Sequence, residues 1–121
     1  MTFLVNVTER RDSPAAAELM PGTLEMLILG TLTLGPLHGY GVTQHIEQCS
    51  GGVLTVPQGS MYPALERLLG KGFVKAKWGK SPTGRRARYY TITSSGRRQL
   101  DAKFADYERV TGAIGRVMAE G

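Results

Sequence analysis

Apolar side chains recur every three or four residues in four stretches of the chain, and this spacing predicts four helices. The predicted helices cover residues 23–34, 40–49, 56–71 and 95–119. Gly35-Pro36 ends the first helix, and Ser50-Gly51-Gly52 ends the second. Pro63 fits the third helix only near its start, which places the N-terminal turn of that helix around Gln58 to Ser60.

Two further stretches, residues 73–78 and 87–93, alternate between apolar and polar positions and predict β-strands. Residues 79–86 lie between them and contain the turn formers Gly and Pro, so we expect a two-stranded hairpin with a long basic tip. Residues 53–56 predict a short extended link. Residues 1–12 predict a mobile extension, with a helical turn allowed from Ala15 to Leu19.

Charge is distributed unevenly along the chain, whose formal net charge is +5. From Arg67 to Arg98 there are ten Lys or Arg residues and no Asp or Glu, whereas the remainder holds five basic and ten acidic residues. A basic block beside an acidic remainder is the electrostatic footprint of a nucleic-acid-binding surface. We therefore expect double-stranded DNA as a partner.

The order of elements is helix, helix, helix, hairpin and long helix, which is the plan of a winged helix-turn-helix. The expected fold class is mainly α (α+β), with a long C-terminal dimerisation helix. Three segments follow: residues 1–20 as a partly disordered N-terminal extension, 21–94 as the winged helix-turn-helix DNA-binding domain, and 95–121 as the dimerisation helix. The last helix would be roughly 37 Å long, more than a small domain covers, so its apolar stripe predicts a second copy of the chain as partner.

Other classes of protein are disfavoured. The single Cys49 excludes an internal disulfide and suits a reducing cytoplasm. Residues 1–7 lack the features of a signal peptide, and residues 24–37 are too short and interrupted for a membrane span. His45 and Cys49 have the spacing of a helical metal pair, but two ligands do not make a site, so we expect neither metal nor cofactor. No residue set suggests catalysis, so we do not expect an enzyme.

Three motifs together resemble the PadR family of transcriptional regulators: Pro36-Leu37-His38-Gly39-Tyr40, residues 59–68, and residues 88–93 with Gly96. The resemblance covers about residues 21–118 and points to the short subfamily with a single C-terminal helix. It implies a homodimeric bacterial repressor that binds an inverted-repeat operator, with the first and last helices forming the dimer. The residues expected at that contact are Leu24, Leu27, Ile28, Leu100, Phe104, Tyr107, Ile114 and Val117.

Two kinds of DNA contact are expected. The leading end of the third helix offers backbone N–H groups and hydrogen-bonding side chains, and the hairpin offers cations. The predicted DNA-binding residues are Gln58, Gly59, Ser60, Tyr62, Pro63, Arg67, Lys77, Lys80, Arg85, Arg86 and Arg88.

Two alternatives remain open. The chain could be a winged-helix adaptor that binds a protein and contacts no DNA. Phe104 and Tyr107 are candidates for lining a pocket for a small apolar or aromatic effector, although the same two rings could simply fill the dimer core.

Overall fold

The computed structural model describes residues 15–16 and 22–121. Its helices are α1 (Thr23–Leu32), α2 (Gly39–Cys49), α3 (Met61–Gly70) and α4 (Ser94–Glu120). Its strands are β1 (Ala15–Ala16), β2 (Leu37–His38), β3 (Leu54–Thr55), β4 (Val74–Lys80) and β5 (Arg86–Ile92). This order confirms the predicted winged helix-turn-helix of the α+β class with a long C-terminal helix.

The hairpin belongs to a three-stranded sheet of order β2-β5-β4, so the prediction of a two-stranded hairpin was incomplete. Strands β4 and β5 pair from Val74–Ile92 to Lys80–Arg86, which shortens the tip to residues 81–85. Strand β2 is only two residues long, and so short a strand shows no alternation in the sequence.

Strand β1 pairs with β3 in parallel, so the helical turn allowed at Ala15–Ala16 was wrong. Pairing with Leu54–Thr55 holds these two residues extended. The rest of that predicted turn, and the mobile extension predicted before it, lie outside the described residues.

Three helices and the inner face of the sheet meet in one core. Met61, Leu65 and Leu68 turn inward from α3, as their spacing predicts. The buried apolar residues are Leu24, Ile28, Leu29, Leu32, Val42, Ile46, Met61, Ala64, Leu65, Leu68, Val74, Tyr90 and Ile92. Burial of these side chains is the main favourable contribution to folding.

Two of the residues expected at the dimer contact lie in the core of the chain itself. Leu24 is 3 % exposed and Ile28 is 0 % exposed, because both pack inside their own protomer. A second chain cannot reach these side chains without opening the core. Leu27 is only partly buried and packs at the edge of the core, so it remains the candidate from α1.

Hydrogen bonds and close packing hold the first turn of α4 in place. Thr93 Oγ1 donates to the Gly72 carbonyl at 2.8 Å and accepts from the Gly96 N–H at 2.9 Å. Thr93 is thus the N-cap of α4. A β-carbon on Gly96 would lie 2.1 Å from the Phe73 carbonyl oxygen, so only glycine allows the first turn of α4 to sit this close.

The remainder of α4 extends past the core. Its 27 residues span about 40 Å, and its first turns pack on α1 and β5. Farther along, Phe104, Ile114 and Val117 are 47 %, 52 % and 67 % exposed. The apolar stripe predicted for this helix is therefore present, and much of it is uncovered within the protomer.

In the described part of the chain, no helix combines the length and apolarity needed to cross a membrane. Within the same residues, no group of three or more His, Cys, Asp or Glu side chains is arranged to hold a metal ion. Cys49 is exposed at the end of α2.

Candidate nucleic-acid interface

A tight turn precedes α3, and residues of this turn are exposed to solvent. The Ser60 N–H donates to the Pro57 carbonyl at 3.0 Å, and Gly59 has a φ of +86°. That backbone conformation favours glycine, and the space beside Gly59 is open. Gln58 and Gly59 are exposed, and the Ser60 side chain makes no hydrogen bond to the helix end. Pro63 lies in the first turn of α3, as predicted.

One flank of α3 is fastened to α1. Arg67 Nε donates to Glu25 Oε2 at 2.8 Å, and Lys71 Nζ donates to Glu25 Oε1 at 3.5 Å. Burial raises the pKa of the Glu25 carboxyl, but the hydrogen bond from Arg67 and the charges of Lys71 and Arg67 outweigh it, so the pKa lies below its ordinary value. Arg67, predicted to contact DNA, is thus engaged by a carboxylate that is only 12 % exposed.

The other flank of α3 is fastened to the hairpin. Arg88 Nη1 donates to Glu66 Oε1 at 3.2 Å, and the Arg88 guanidinium lies 5.8 Å from the centre of the Tyr90 ring. Both partners of this ion pair face solvent, since the side chains of Arg88 and Glu66 are 36 % and 55 % exposed.

The strand register sorts the cations of the hairpin onto two faces. Trp78 lies opposite Arg88, and Lys80 opposite Arg86, on the face that continues from the buried Val74–Ile92 pair towards α3. Lys77 lies opposite Tyr89 on the other face. Of the predicted cations, Lys80, Arg86 and Arg88 therefore share one side, whereas Lys77 does not join them.

Hydrogen bonds order the tip of the hairpin. The Ser81 N–H donates to the Arg85 carbonyl at 2.7 Å, and the Tyr89 hydroxyl donates to the Lys80 carbonyl at 2.7 Å. The tip thereby holds Arg85 and Arg86 exposed beside each other.

Helix α3, the start of α2 and the inner face of the hairpin enclose an open groove of about 880 Å³. The groove joins four residues predicted from the sequence to several that were missed. The predicted residues in its lining are Tyr62, Arg85, Arg86 and Arg88, and the missed ones include Tyr40, Gln44, Glu66 and Trp78. Gln58, Gly59 and Ser60 lie outside the groove, at the leading end of α3.

Residues 28–102 match the model of the transcriptional regulator PadR-like family. The chain belongs to this family. It is 31 % identical over 77 residues to the negative transcriptional regulator PadR of Bacillus subtilis, an alignment that covers 64 % of this chain and 42 % of that protein. It is also 38 % identical over 90 residues to an uncharacterized transposon protein of Streptomyces fradiae, covering 74 % of this chain and 24 % of the relative. The chain thus spans less than half the length of either relative.

The fold of this PadR-like chain is shared with solved regulators. A PadR family transcriptional regulator from Eggerthella lenta superposes with a TM-score of 0.73 at 21 % identity, and the match covers 100 % of both chains. The family match ends at residue 102, shortly after the start of α4. It therefore includes all of α3 and the hairpin that form the groove.

The position of Tyr62 depends on close packing in this PadR-like fold. His38 Nδ1 accepts from the Gly41 N–H at 3.0 Å and caps α2, which gives His38 a structural role. A β-carbon on Gly39 would lie 2.9 Å from Cε1 of Tyr62, so the ring rests on the bare backbone of α2. The backbone of α2 thus supports one side of the Tyr62 ring, although 58 % of the residue is exposed.

The ring of Trp78 packs against the cation of Arg86. It is 55 % exposed, and the Arg86 guanidinium stacks 4.4 Å from its ring centre. The sequence shows Trp78 as one apolar position of an alternating strand, so its place beside a cation emerges only from the cross-strand register.

Proposed function

We propose that this PadR-like protein is a sequence-specific DNA-binding repressor that acts as a homodimer on an inverted-repeat operator. The observation that carries the proposal is the groove between α3 and the hairpin, in which three arginines lie beside exposed aromatic and amide side chains. Such a surface offers both phosphate-binding cations and hydrogen-bonding groups for bases. The description of the B. subtilis relative as a negative regulator favours repression. As part of this proposal, the protein acts in the cytoplasm, where its DNA target lies.

The residues divide into two roles in this proposal. Lys80, Arg85 and Arg86 neutralise phosphates from the exposed tip of the hairpin, which supplies affinity for any sequence. Gln58 and Ser60 reach base edges from the turn before α3, which supplies sequence preference. The Tyr62 hydroxyl, held in place by Gly39, donates to a backbone phosphate.

A titration on an operator duplex and on a scrambled duplex, at several salt concentrations, tests these roles. The operator is first selected from a random duplex pool. Arg85→Ala should weaken binding to both duplexes and reduce the salt slope by about one per lost contact in each subunit. Gln58→Ala should cost roughly 1–3 kcal/mol on the operator and little on the scrambled duplex.

Lys77→Ala is the matched control, because it removes a hairpin cation from the face turned away from the groove. It should change the salt slope less than Arg85→Ala does. Equal losses for the two variants would show that the groove is not the DNA-binding surface. A wild-type protein with no salt-dependent affinity for any duplex would favour the adaptor hypothesis.

The dimer is carried by the uncovered stripe on α4. Ile114 and Val117 are more than half exposed in the protomer, and such large apolar side chains on a projecting helix need a partner. Ile114→Glu should convert a dimer into a folded monomer, because the site contributes nothing to the protomer core. Light scattering and circular dichroism measure the two properties. Glu108→Ala, an exposed change on the same helix, should leave the dimer intact.

The effector stays a prediction, and the structure divides its two candidate residues. Phe104 borders an apolar hollow of about 370 Å³ between α1, α2 and α4, whereas Tyr107 borders a separate hollow of about 120 Å³. Their rings stack with centres 6.2 Å apart. We propose the hollow beside Phe104 as the place for a small apolar ligand. A panel of aromatic compounds that never alters operator affinity would contradict this proposal.

A further inference from the structure

The exposed side of α3 offers few side chains that can read a base. Met61, Leu65 and Leu68 face the core, and Pro63 and Gly70 carry no polar side-chain group. Arg67, the remaining cation, is held by Glu25 at 2.8 Å on the flank towards α1. The polar side chains left on the exposed surface of the helix are Tyr62 and Glu66.

Glu66 is presented to solvent in a defined orientation. Its side chain is 55 % exposed and lines the groove beside Arg88. Among the described residues, the hydrogen bond from Arg88 engages Oε1, which leaves Oε2 as an acceptor without a protein partner. Arg88 thus offsets part of the charge of the carboxylate and contacts one of its oxygens, while the other oxygen stays available.

The negative charge of the Glu66 carboxylate and its lack of a hydrogen-bond donor limit the groups of DNA that it can bind. It repels phosphates, so it lowers general affinity for DNA. It can only accept hydrogen bonds. In the major groove, guanine presents two acceptors and adenine presents an acceptor beside its amino group, whereas cytosine presents the N4 amino donor. Cytosine is therefore the base that a carboxylate meets without a facing acceptor.

We propose that Glu66 is a specificity-determining residue, whose carboxylate accepts a hydrogen bond from the N4 amino group of a cytosine while Arg88 holds it in place. This assignment rests on the proposed DNA binding and adds to it a base preference at one position in each half-site. It also gives the Arg88–Glu66 ion pair a role beyond linking the hairpin to α3.

Selection from a random duplex pool tests the assignment with four proteins: wild type, Glu66→Gln, Glu66→Ala and Arg88→Ala. The wild type should select cytosine at one position of each half-site. Glu66→Gln should change that preference towards adenine, the base that an amide pairs with. Glu66→Ala should lose the base preference at that position alone, a loss of about tenfold in the affinity ratio between the best and the worst base. It should also bind scrambled DNA more tightly, because a negative charge is gone.

Asp101→Ala serves as the charge control, since it removes one exposed carboxylate on α4 and should leave base selection unchanged. If Glu66 only links α3 to the hairpin, Glu66→Ala and Arg88→Ala should weaken operator and scrambled duplex alike and select the wild-type operator. That result would overturn the assignment and leave the proposed function standing. A wild type that selects no sequence at all would overturn both.

Discussion

Glu25 of α1 contacts one flank of α3, and Glu66 lies on the flank of α3 that faces the hairpin. Each accepts a hydrogen bond from an arginine, but their surroundings differ. The Glu25 side chain is 12 % exposed and binds two cations, whereas the Glu66 side chain is 55 % exposed and binds one. Exposed ion pairs contribute little to stability, because water screens them and the side chains lose entropy. The covered flank therefore fixes the position of the helix, and the open flank leaves its polar groups available to a ligand.

The largest expected effect comes from removing the covered carboxylate. Glu25→Ala should lower the free energy of unfolding by about 2 kcal/mol, because two charge-assisted hydrogen bonds between α1 and α3 are lost. Glu66→Ala should change it by less than about 0.5 kcal/mol. Urea denaturation at one fixed protein concentration measures both. Equal losses would mean that burial does not separate the two flanks.

The second expectation is a pH dependence that arises from Glu25 on the covered flank. The pKa of Glu25 is lowered below its ordinary value of 4.5 in the folded state, so the unfolded chain takes up a proton first as the pH falls. The stabilisation is complete above the ordinary value and is lost as the pH falls through the lowered pKa.

Glu25→Gln provides the comparison, because its amide does not titrate. At neutral pH it should be about 1 kcal/mol less stable than the wild type, since Gln keeps an acceptor but not the charge. That difference should shrink below the ordinary pKa of 4.5. A difference that stays constant from neutral pH down into the acid range would contradict the role given to the Glu25 charge.

The two flanks also differ in how far the sequence predicts them. Met61, Leu65 and Leu68 fix the inward face of α3 by their spacing alone, and the Pro and Gly positions mark its ends, so the helices and hairpin could be predicted. Arg67 and Glu25 are 42 residues apart, and no local pattern indicates that they meet. Arg67 therefore looked like a free cation of the basic block.

The groove was only partly predictable for the same reason. Arg85 and Arg86 stand out in the sequence as cations at a turn, but Tyr40 comes from α2 and Trp78 from β4. Their meeting depends on the packing of α2 and on the register of the hairpin, which involve contacts between distant residues. Likewise, Leu24 and Ile28 share the helical spacing of a dimer stripe, and only the packed core shows that they face inward.

The third expectation concerns the support of Tyr62 on the open flank. Gly39→Ala should displace the ring, because the added methyl would lie 2.9 Å from Cε1. Operator affinity should fall about threefold, with a smaller change in stability than Glu25→Ala causes, since an exposed ring can move away at little cost. In a Tyr62→Ala background, Gly39→Ala should have almost no further effect on affinity. Additive losses would show that Gly39 acts through something other than Tyr62.

The smallest expected effect comes from the exposed stack of Arg86 on Trp78. A cation–π contact at such a site contributes about 0.5 kcal/mol, so Trp78→Ala should weaken binding about twofold, and Trp78→Phe should weaken it less. In an Arg86→Ala background, Trp78→Ala should weaken binding little further, because the ring acts by orienting that cation.

Trp78 is the only tryptophan of the chain, so its fluorescence reports on the open flank directly. Duplex DNA should change this signal in the wild type and much less in Arg86→Ala at matched occupancy. An unchanged signal on saturation with operator would place the hairpin face outside the complex, and the covered flank would then be the only side of α3 with a defined role.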